Sequence, residues 1–151
     1  MIYISHRGNI DGVNQNIENS MSQIDHCIDN NFHVEVDVWK IDNIYWLGHD
    51  KPLFMVNLNF FINRKDFLWC HAKNVHALSG LIDHDIHCFW HQKDDYTLTS
   101  KGILWGYVGQ PIHERVVCVL PELCNYAWHN SKLPYAICSD RIKYYKEIIG
   151  K

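Results

Sequence analysis

Short apolar segments recur along the whole chain and constrain its fold more than any other feature. Eight of them are rich in β-branched or aromatic residues and are bounded by Gly, Asn, Asp or Pro, a pattern typical of β-strands. They span residues 2–5, 33–39, 44–48, 67–72, 87–90, 103–107, 116–120 and 135–138. Because no apolar run approaches the roughly 20 residues of a membrane-spanning helix, we expect no membrane span.

Between the strands lie segments with a helical pattern. The clearest is 18–31, where apolar residues recur at spacings of three and four and where Ser20 and Gln23 can form a capping box. Weaker helical patterns span 57–64, 75–82 and 141–149. Loops are expected at 92–101 and 108–115.

Alternation of strands and helices favours an α/β fold with a largely parallel sheet. We expect one domain, 1–151, built as a compact irregular (β/α)8 TIM-type barrel. Such barrels usually need about 250 residues, so several outer helices must be reduced or missing. Residues 40–43 are too few for a crossover helix and predict a tight turn or an irregular excursion. An open α/β sheet of five or six strands is the alternative.

The net charge, the cysteines and the N-terminal residues indicate which partners and which cellular location to expect. The net charge is −3, which argues against binding long nucleic acid over a broad face. The six cysteines form no C-x-x-C pair, and most lie in apolar segments, so we expect them to be reduced. The N-terminus lacks the pattern of a secretory signal, and the expected location is the cytoplasm.

Ionisable side chains fall where the predicted strands end. They are His6 and Arg7, Glu35 and Asp37, His49, and His71 and Lys73. Residues two apart on a strand share one face, and ligands of parallel α/β folds bind at the carboxyl ends of strands. We therefore expect these side chains to meet at one rim of the sheet.

Two of these positions predict a metal site. Glu35 and Asp37 lie on one strand face, while Val34, Val36 and Val38 occupy the other. Neighbouring buried carboxylates repel each other, and an oxygen-preferring ion such as Mg²⁺ or Ca²⁺ relieves that repulsion. A half-exposed strand face without metal is the plainer alternative.

The remaining rim residues suit phosphate chemistry. His6 and His49 can act as an acid/base pair near neutral pH. Arg7 and Lys73 supply the positive field that a phosphodiester needs as negative charge develops in the transition state. Each of these four could instead be an ordinary surface or packed residue.

The motifs resemble those of the glycerophosphodiester phosphodiesterase family, within the wider group of phosphatidylinositol-phospholipase-C-like barrels. In the order of the family pattern they are His6-Arg7-Gly8, Glu18-Asn19-Ser20, Glu35-Val36-Asp37-Val38 and His49-Asp50. This resemblance covers about the first third of the chain. It implies a hydrolase of lipid metabolism that cleaves a phosphodiester on an irregular TIM-type barrel, with one divalent cation.

The resemblance also implies roles for individual residues. His6 and His49 match the two acid/base histidines, Glu35 and Asp37 match metal ligands, and Arg7 matches a phosphate contact. The family's fourth strand usually carries E-x-K, whereas this chain has His71-Ala72-Lys73. With His71 as a third ligand, Mn²⁺ or Zn²⁺ becomes an alternative to Mg²⁺ or Ca²⁺.

The function expected from the sequence is metal-dependent hydrolysis of a glycerophosphodiester or similar small headgroup diester. Two alternatives stay open: a catalytically impaired relative that binds phosphate ligands, and a small nuclease. Barrel walls left uncovered by missing helices are compatible with a homodimer. Ser139 and Asp140 are expected to cap the last helix, and Trp105 and Tyr107 to pack in the core or line a pocket.

Overall fold

The computed structural model describes residues 1–124, 126 and 132–150. Within them lie ten strands: β1 Ile2–His6, β2 His33–Ile41, β3 Ile44–Leu47, β4 Phe54–Val56, β5 Leu68–Ala72, β6 Cys88–Phe89, β7 Tyr96–Leu98, β8 Leu104–Gly106, β9 Val116–Val119 and β10 Ala136–Ser139. The helices are α1 Met21–Asp29, α2 Leu58–Ile62, α3 Val75–Ile82 and α4 Ile142–Ile149, with a 3-10 turn at Pro121–Leu123.

The strands form one curled, mixed sheet with the shape of a half-barrel. Its centre is β1, which pairs in parallel with β10 on one side and β2 on the other. The parallel order continues through β9 and β8 beyond β10, and through β5 and β6 beyond β2. Antiparallel pairs extend the sheet at both ends: β3 pairs with β2, β4 pairs with β3, and β7 pairs with β8.

The expected (β/α)8 barrel is wrong. The sheet is mixed, and within the described ranges it is accompanied by four short α-helices rather than a ring of eight. The connections explain the difference, because residues 107–115 between β8 and β9 contain no helix. No strand pairing joins β6 to β7 or β8 within the described part of the chain, so the strand ladders do not close the sheet into a barrel.

The chain leaves the parallel order at a hairpin. Strands β2 and β3 are joined by Asp42 and Asn43, whose φ angles of 48° and 62° are those of a two-residue turn matched to strand twist. The predicted tight turn at 40–43 is therefore confirmed. Strand β4 lies outside the predicted strands, and β7 falls inside the predicted loop 92–101.

The two faces of the sheet bury different side chains. Val34, Val36 and Val38 point outward and pack with α1 and α3 in the larger apolar core. The inner face buries a smaller core that includes Trp69, Phe89 and Trp105. The rings of Phe89 and Trp105 stack with centroids 4.3 Å apart. These aromatics fill the concave side of the sheet and form the base on which the polar rim rests.

The start of α1 and the state of the cysteines mostly match what the sequence predicts. Ser20 caps α1, accepting the Gln23 backbone N–H at 3.4 Å, but the Gln23 side chain donates to the Gly8 carbonyl instead of completing a capping box. All six cysteines are free and five are buried, so the expectation of reduced cysteines is confirmed.

Within the described residues, no helix has the length and apolar character needed to cross a bilayer.

Candidate active site

Strand register brings the predicted site residues to one edge of the sheet. His6 on β1 lies directly beside Glu35 on β2, and Asp37 lies directly beside His71 on β5. Around them is a cavity of about 270 Å³. Its walls are formed by His6, Arg7, Glu35, Asp37, His49, His71, His91, Gln92, Trp105, Gly106, Tyr107, Val108, Val119 and Leu120. Lys73 approaches the same cluster through Asp37.

Asp37 is fully buried and is the most densely contacted carboxylate. One oxygen, Oδ2, accepts the Asn19 side-chain amide at 3.1 Å and lies 3.4 Å from Arg7 Nε. The other, Oδ1, lies 3.2 Å from His71 Nδ1 and 3.4 Å from Lys73 Nζ. Burial alone would raise the pKa of Asp37, but His71, Lys73 and Arg7 outweigh it and hold the pKa well below its ordinary value. Asp37 therefore stays ionised.

Glu35 is 2% exposed and has weaker partners than Asp37. Its Oε2 accepts the Arg7 backbone N–H at 3.2 Å and lies 3.9 Å from His6 Nε2. Its Oε1 lies 3.9 Å from His71 Nδ1. Burial and the nearby Asp37 charge raise the pKa of Glu35. A second negative charge at this place is costly unless a cation lies between the two carboxylates.

The orientation of His71 fixes which ring nitrogen faces the carboxylates. His71 Nε2 lies 2.8 Å from the carbonyl oxygen of His91, and a carbonyl can only accept, so Nε2 carries hydrogen. In the neutral ring the lone pair is then on Nδ1, which faces Asp37 and Glu35. A backbone carbonyl holding the far nitrogen is the usual arrangement around a metal-binding histidine.

These three side chains fit a metal ion. One ligand atom from each of Glu35, Asp37 and His71 lies within 4.8 Å of the other two. Asp37 Oδ1 is buried and has no hydrogen-bond partner among the described residues. A carboxylate oxygen without a hydrogen bond, a second carboxylate with few partners and an imidazole nitrogen together form a donor set that one divalent cation would satisfy.

His6 is held from the far side by a residue that sequence reasoning placed elsewhere. His6 Nδ1 donates to Asp140 Oδ1 at 2.8 Å, which leaves Nε2 directed toward Glu35. Burial lowers the pKa of His6, but the Asp140 hydrogen bond and the Glu35 charge outweigh it, and the net direction is upward. Asn9 Nδ2 donates to the same Asp140 oxygen at 2.8 Å and fixes the carboxylate.

His49 lies opposite, on the loop that follows β3. Its Nδ1 donates to Asp50 Oδ1 at 2.7 Å, which again leaves Nε2 available. The His49 side chain is 37% exposed, and that of Asp50 is 92% exposed. Burial lowers the pKa of His49, and Arg7 and Lys73 act in the same direction against Asp37 and Asp50. In both histidines Nδ1 donates to an aspartate and Nε2 is left available. The two differ in the exposure of that aspartate, which is much greater at His49.

Two cations complete the cluster. The Arg7 guanidinium lies between Glu18 Oε2, at 3.5 Å from Nη1, and Asp37 Oδ2. Burial lowers the pKa of Arg7, but the charges of Asp37, Glu35 and Glu18 outweigh burial and raise the pKa above its ordinary value. The guanidinium therefore stays charged. Lys73 contacts Asp37 from the side of β5.

The structure therefore brings six of the seven predicted residues to one cavity, with Lys73 at 3.4 Å from one of them. The sequence did not predict that Asp140 and Asn9 support the site. Glu18 and Asn19 belong to the motif that carries the resemblance, but no contact with the site was predicted for them. Asp140 was expected as a helix cap, yet the residue at the start of α4 is Arg141 without a side-chain cap. The available signal was position, since Asp140 directly follows β10 and so lies at the same rim as the other strand ends.

Comparison with known proteins adds nothing to this geometry. No family model, curated protein or solved structure matches the chain. The resemblance of its motifs to the phosphodiesterase pattern therefore stays a prediction, and so do the roles of the individual residues. A larger groove of about 700 Å³ lies elsewhere, along the β2–β3 hairpin and α2, and is lined mostly by apolar side chains.

Proposed function

We propose that the protein is a metal-dependent phosphodiesterase that hydrolyses a small headgroup diester such as a glycerophosphodiester. One arrangement carries the proposal: two imidazoles, each held at Nδ1 by a carboxylate, line the same cavity as an acidic cluster suited to one divalent cation. Acid/base groups beside a cation site are what phosphodiester hydrolysis requires.

Glu35, Asp37 and His71 would hold the cation, with the oxygens and Nδ1 that face one another. A bound divalent ion supplies Lewis-acid polarisation of the phosphoryl oxygens and stabilises the charge that develops on them. With two carboxylates and one imidazole, the donor set is compatible with Mg²⁺, Ca²⁺, Mn²⁺ or Zn²⁺.

The chain's own residues would bind the phosphate and move the protons. Arg7 and Lys73 place positive charge beside the cluster and neutralise the diester. One of His6 and His49 takes the proton of the attacking oxygen, from water or from a neighbouring substrate hydroxyl. The other gives a proton to the leaving alkoxide, so that a monoester, or a cyclic ester, and an alcohol are released.

The test is hydrolysis of glycerophosphocholine, followed by ³¹P NMR with Mg²⁺, Mn²⁺ or Ca²⁺. We expect turnover with at least one metal and a loss of roughly 10²-fold or more in His6→Ala and His49→Ala. His76→Ala is the matched control because His76 is exposed at the start of α3, and it should keep full activity.

Two results would overturn the proposal. Full activity in both His6→Ala and His49→Ala would remove the acid/base pair. Absence of turnover with every metal, together with retained binding of glycerol 3-phosphate, would identify a phosphate-binding protein without catalysis. Cleavage of short oligonucleotides that falls steeply with salt, without cleavage of glycerophosphocholine, would identify a nuclease.

A further inference from the structure

The strand that carries Glu35 and Asp37 continues beyond the cavity with apolar side chains on the same face. Alternate residues of β2 share a face, so Trp39 and Ile41 follow Asp37 on it. Register with β3 places Ile44 beside Ile41 and Trp46 beside Trp39, and β4 adds Met55 beside Trp46. We call these five residues the apolar strip.

The apolar strip is open to solvent where a core would bury it. Ile41 is 40% exposed, Ile44 is 42% exposed and Met55 is 61% exposed, and the two tryptophans are half-buried. The opposite face of the same strands carries Val38, Leu47 and Val56, which are buried in the larger core. A contiguous exposed apolar sheet face next to a polar cavity is a feature that marks interaction sites.

The arrangement around the cavity favours a lipid surface as the occupant. Trp39 and Trp46 lie between the charged cluster and the fully apolar end of the strip, and tryptophan is enriched at membrane–water interfaces for its amphipathic ring. Tyr107 lines the cavity itself and is 44% exposed. Exposed aromatic and apolar groups therefore lie both at the cavity and beyond it along β2.

Charge near the strip indicates which kind of lipid. Lys40 and Lys51 are matched by Asp42 and Asp50 in the same hairpin and the loop that follows it. Without net charge, this region has no electrostatic preference for anionic lipid, whose attraction depends on clustered Lys and Arg. A zwitterionic surface fits it better.

A second copy of the chain fits less well. Three side chains exposed to 40%, 42% and 61% offer far less than the roughly 800 Å² per partner that a stable interface buries. Pairing through the free edge of the sheet is also disfavoured. Edge strand β4 has three residues, and Pro52 precedes it by two positions, both of which are features that limit edge-to-edge association.

We propose that the apolar strip docks on a zwitterionic lipid surface, with Ile41, Ile44 and Met55 inserted among the lipids and the two tryptophans at headgroup level. The cavity mouth then faces the layer of headgroup phosphates. This inference goes beyond the proposed hydrolysis and is measured without it, so binding and catalysis can fail separately.

The experiment is sedimentation with sucrose-loaded phosphatidylcholine vesicles. We expect the wild type to bind and Ile41→Thr/Ile44→Thr to bind at least fivefold more weakly, because threonine keeps the β-branch and removes apolar surface. Ile62→Thr/Ile82→Thr is the matched control, with exposures of 41% and 52% on α2 and α3, and should bind like the wild type. Binding should not change in 0.5 M NaCl.

A second measurement needs no variant of the strip. Phosphatidylcholine brominated in its acyl chains should quench wild-type tryptophan fluorescence, since Trp39 and Trp46 would lie near the lipid. Absence of vesicle binding by the wild type, equal binding by both double variants, or no quenching by brominated lipid would overturn the inference. A wild-type dimer that Ile41→Thr/Ile44→Thr converts to monomer would assign the strip to a second copy instead.

Discussion

At the scale of single residues, the two candidate catalytic histidines differ in what holds them. Asp140 is 14% exposed, accepts from His6 Nδ1 and is itself held by Asn9, whereas Asp50 is 92% exposed at His49. A buried carboxylate fixes the tautomer and orientation of an imidazole more effectively than one that solvent can replace. The two aspartates should therefore matter unequally to hydrolysis.

We expect Asp140→Asn to lower kcat by roughly 10²-fold with a small change in KM, because the amide removes the charge that supports a protonated His6. Asp50→Asn should cost less than about threefold, as expected for an exposed pair. Steady-state kinetics on glycerophosphocholine measure both. Equal losses in the two variants would contradict the difference in burial as its cause.

One histidine away from the site, His87, should make the free energy of unfolding depend on pH. Burial, with smaller contributions from Lys101 and His33, lowers the pKa of His87 to about 4, and its Nε2 lies 2.8 Å from Thr99 Oγ1. Its ring also contacts Trp69, with centroids 4.1 Å apart. Between pH 6.5 and 4 the unfolded chain binds a proton at this position that the folded chain does not.

The free energy of unfolding should therefore fall as the pH drops from about 6.5 to about 4. His87→Gln keeps a hydrogen-bonding side chain for Thr99 without a titrating ring, and its stability should fall less over the same range. Urea denaturation at pH 7, 6, 5 and 4 gives the comparison. Parallel curves for the two proteins would show that His87 does not contribute.

At the scale of elements, the loop after β3 depends on one glycine. Gly48 has φ of 143°, and a Cβ there would overlap the Lys51 carbonyl oxygen. Its backbone N–H donates to the Asp37 carbonyl at 3.1 Å, so this loop positions His49 beside the acidic cluster. A side chain at 48 would both strain the backbone and displace the loop.

We expect Gly48→Ala to lower the free energy of unfolding by about 2–3 kcal/mol. Gly102→Ala is the control, because Gly102 also has a positive φ, of 75°, but has no neighbour within 4 Å of an added Cβ. That variant should cost about 1 kcal/mol, the strain of the backbone alone. Urea denaturation measures both, and equal costs would contradict the overlap at Gly48.

Local elements were predictable where periodicity or the length of a segment was decisive. The alternation in β2 predicted the valines on one face and the carboxylates on the other, and the shortness of 40–43 predicted a tight turn or an irregular excursion. Strands β4 and β7 were missed because each has three residues, too few for a period of two to be recognised. Asp140 was missed because a carboxylate before a helix has the same sequence pattern as a cap.

At the scale of the whole molecule, the number of strands does not show whether the sheet closes into a barrel. Eight strand-like segments are compatible with a closed or an open sheet, and closure depends on crossover connections that sequence does not orient. Here the pairs β2–β3, β3–β4 and β7–β8 are antiparallel, and the sheet is left as a half-barrel. The clustering of the candidate site residues was more predictable than the fold, because it needs only strand ends that share an edge.

Metal binding should stabilise the whole chain, because the cluster of Glu35, Asp37 and His71 exists only in the folded state. At a Mn²⁺ concentration of about 100 times Kd, we expect a gain of about 2.7 kcal/mol and a rise in Tm of about 5–10 °C. Asp37→Asn should lose most of that rise. Asp25→Asn, whose carboxylate pairs with Arg64 instead, should keep it. Calorimetry with and without EDTA checks the three proteins.

The most direct test of the account is a crystal structure of the protein grown with Mn²⁺, with anomalous diffraction data to locate the ion. We predict one strong peak between Glu35, Asp37 and His71, about 2.0–2.6 Å from carboxylate oxygens and His71 Nδ1. His6 and His49 should lie on the open side of that ion. A peak at another place, or none at saturating Mn²⁺, would contradict the proposed metal centre.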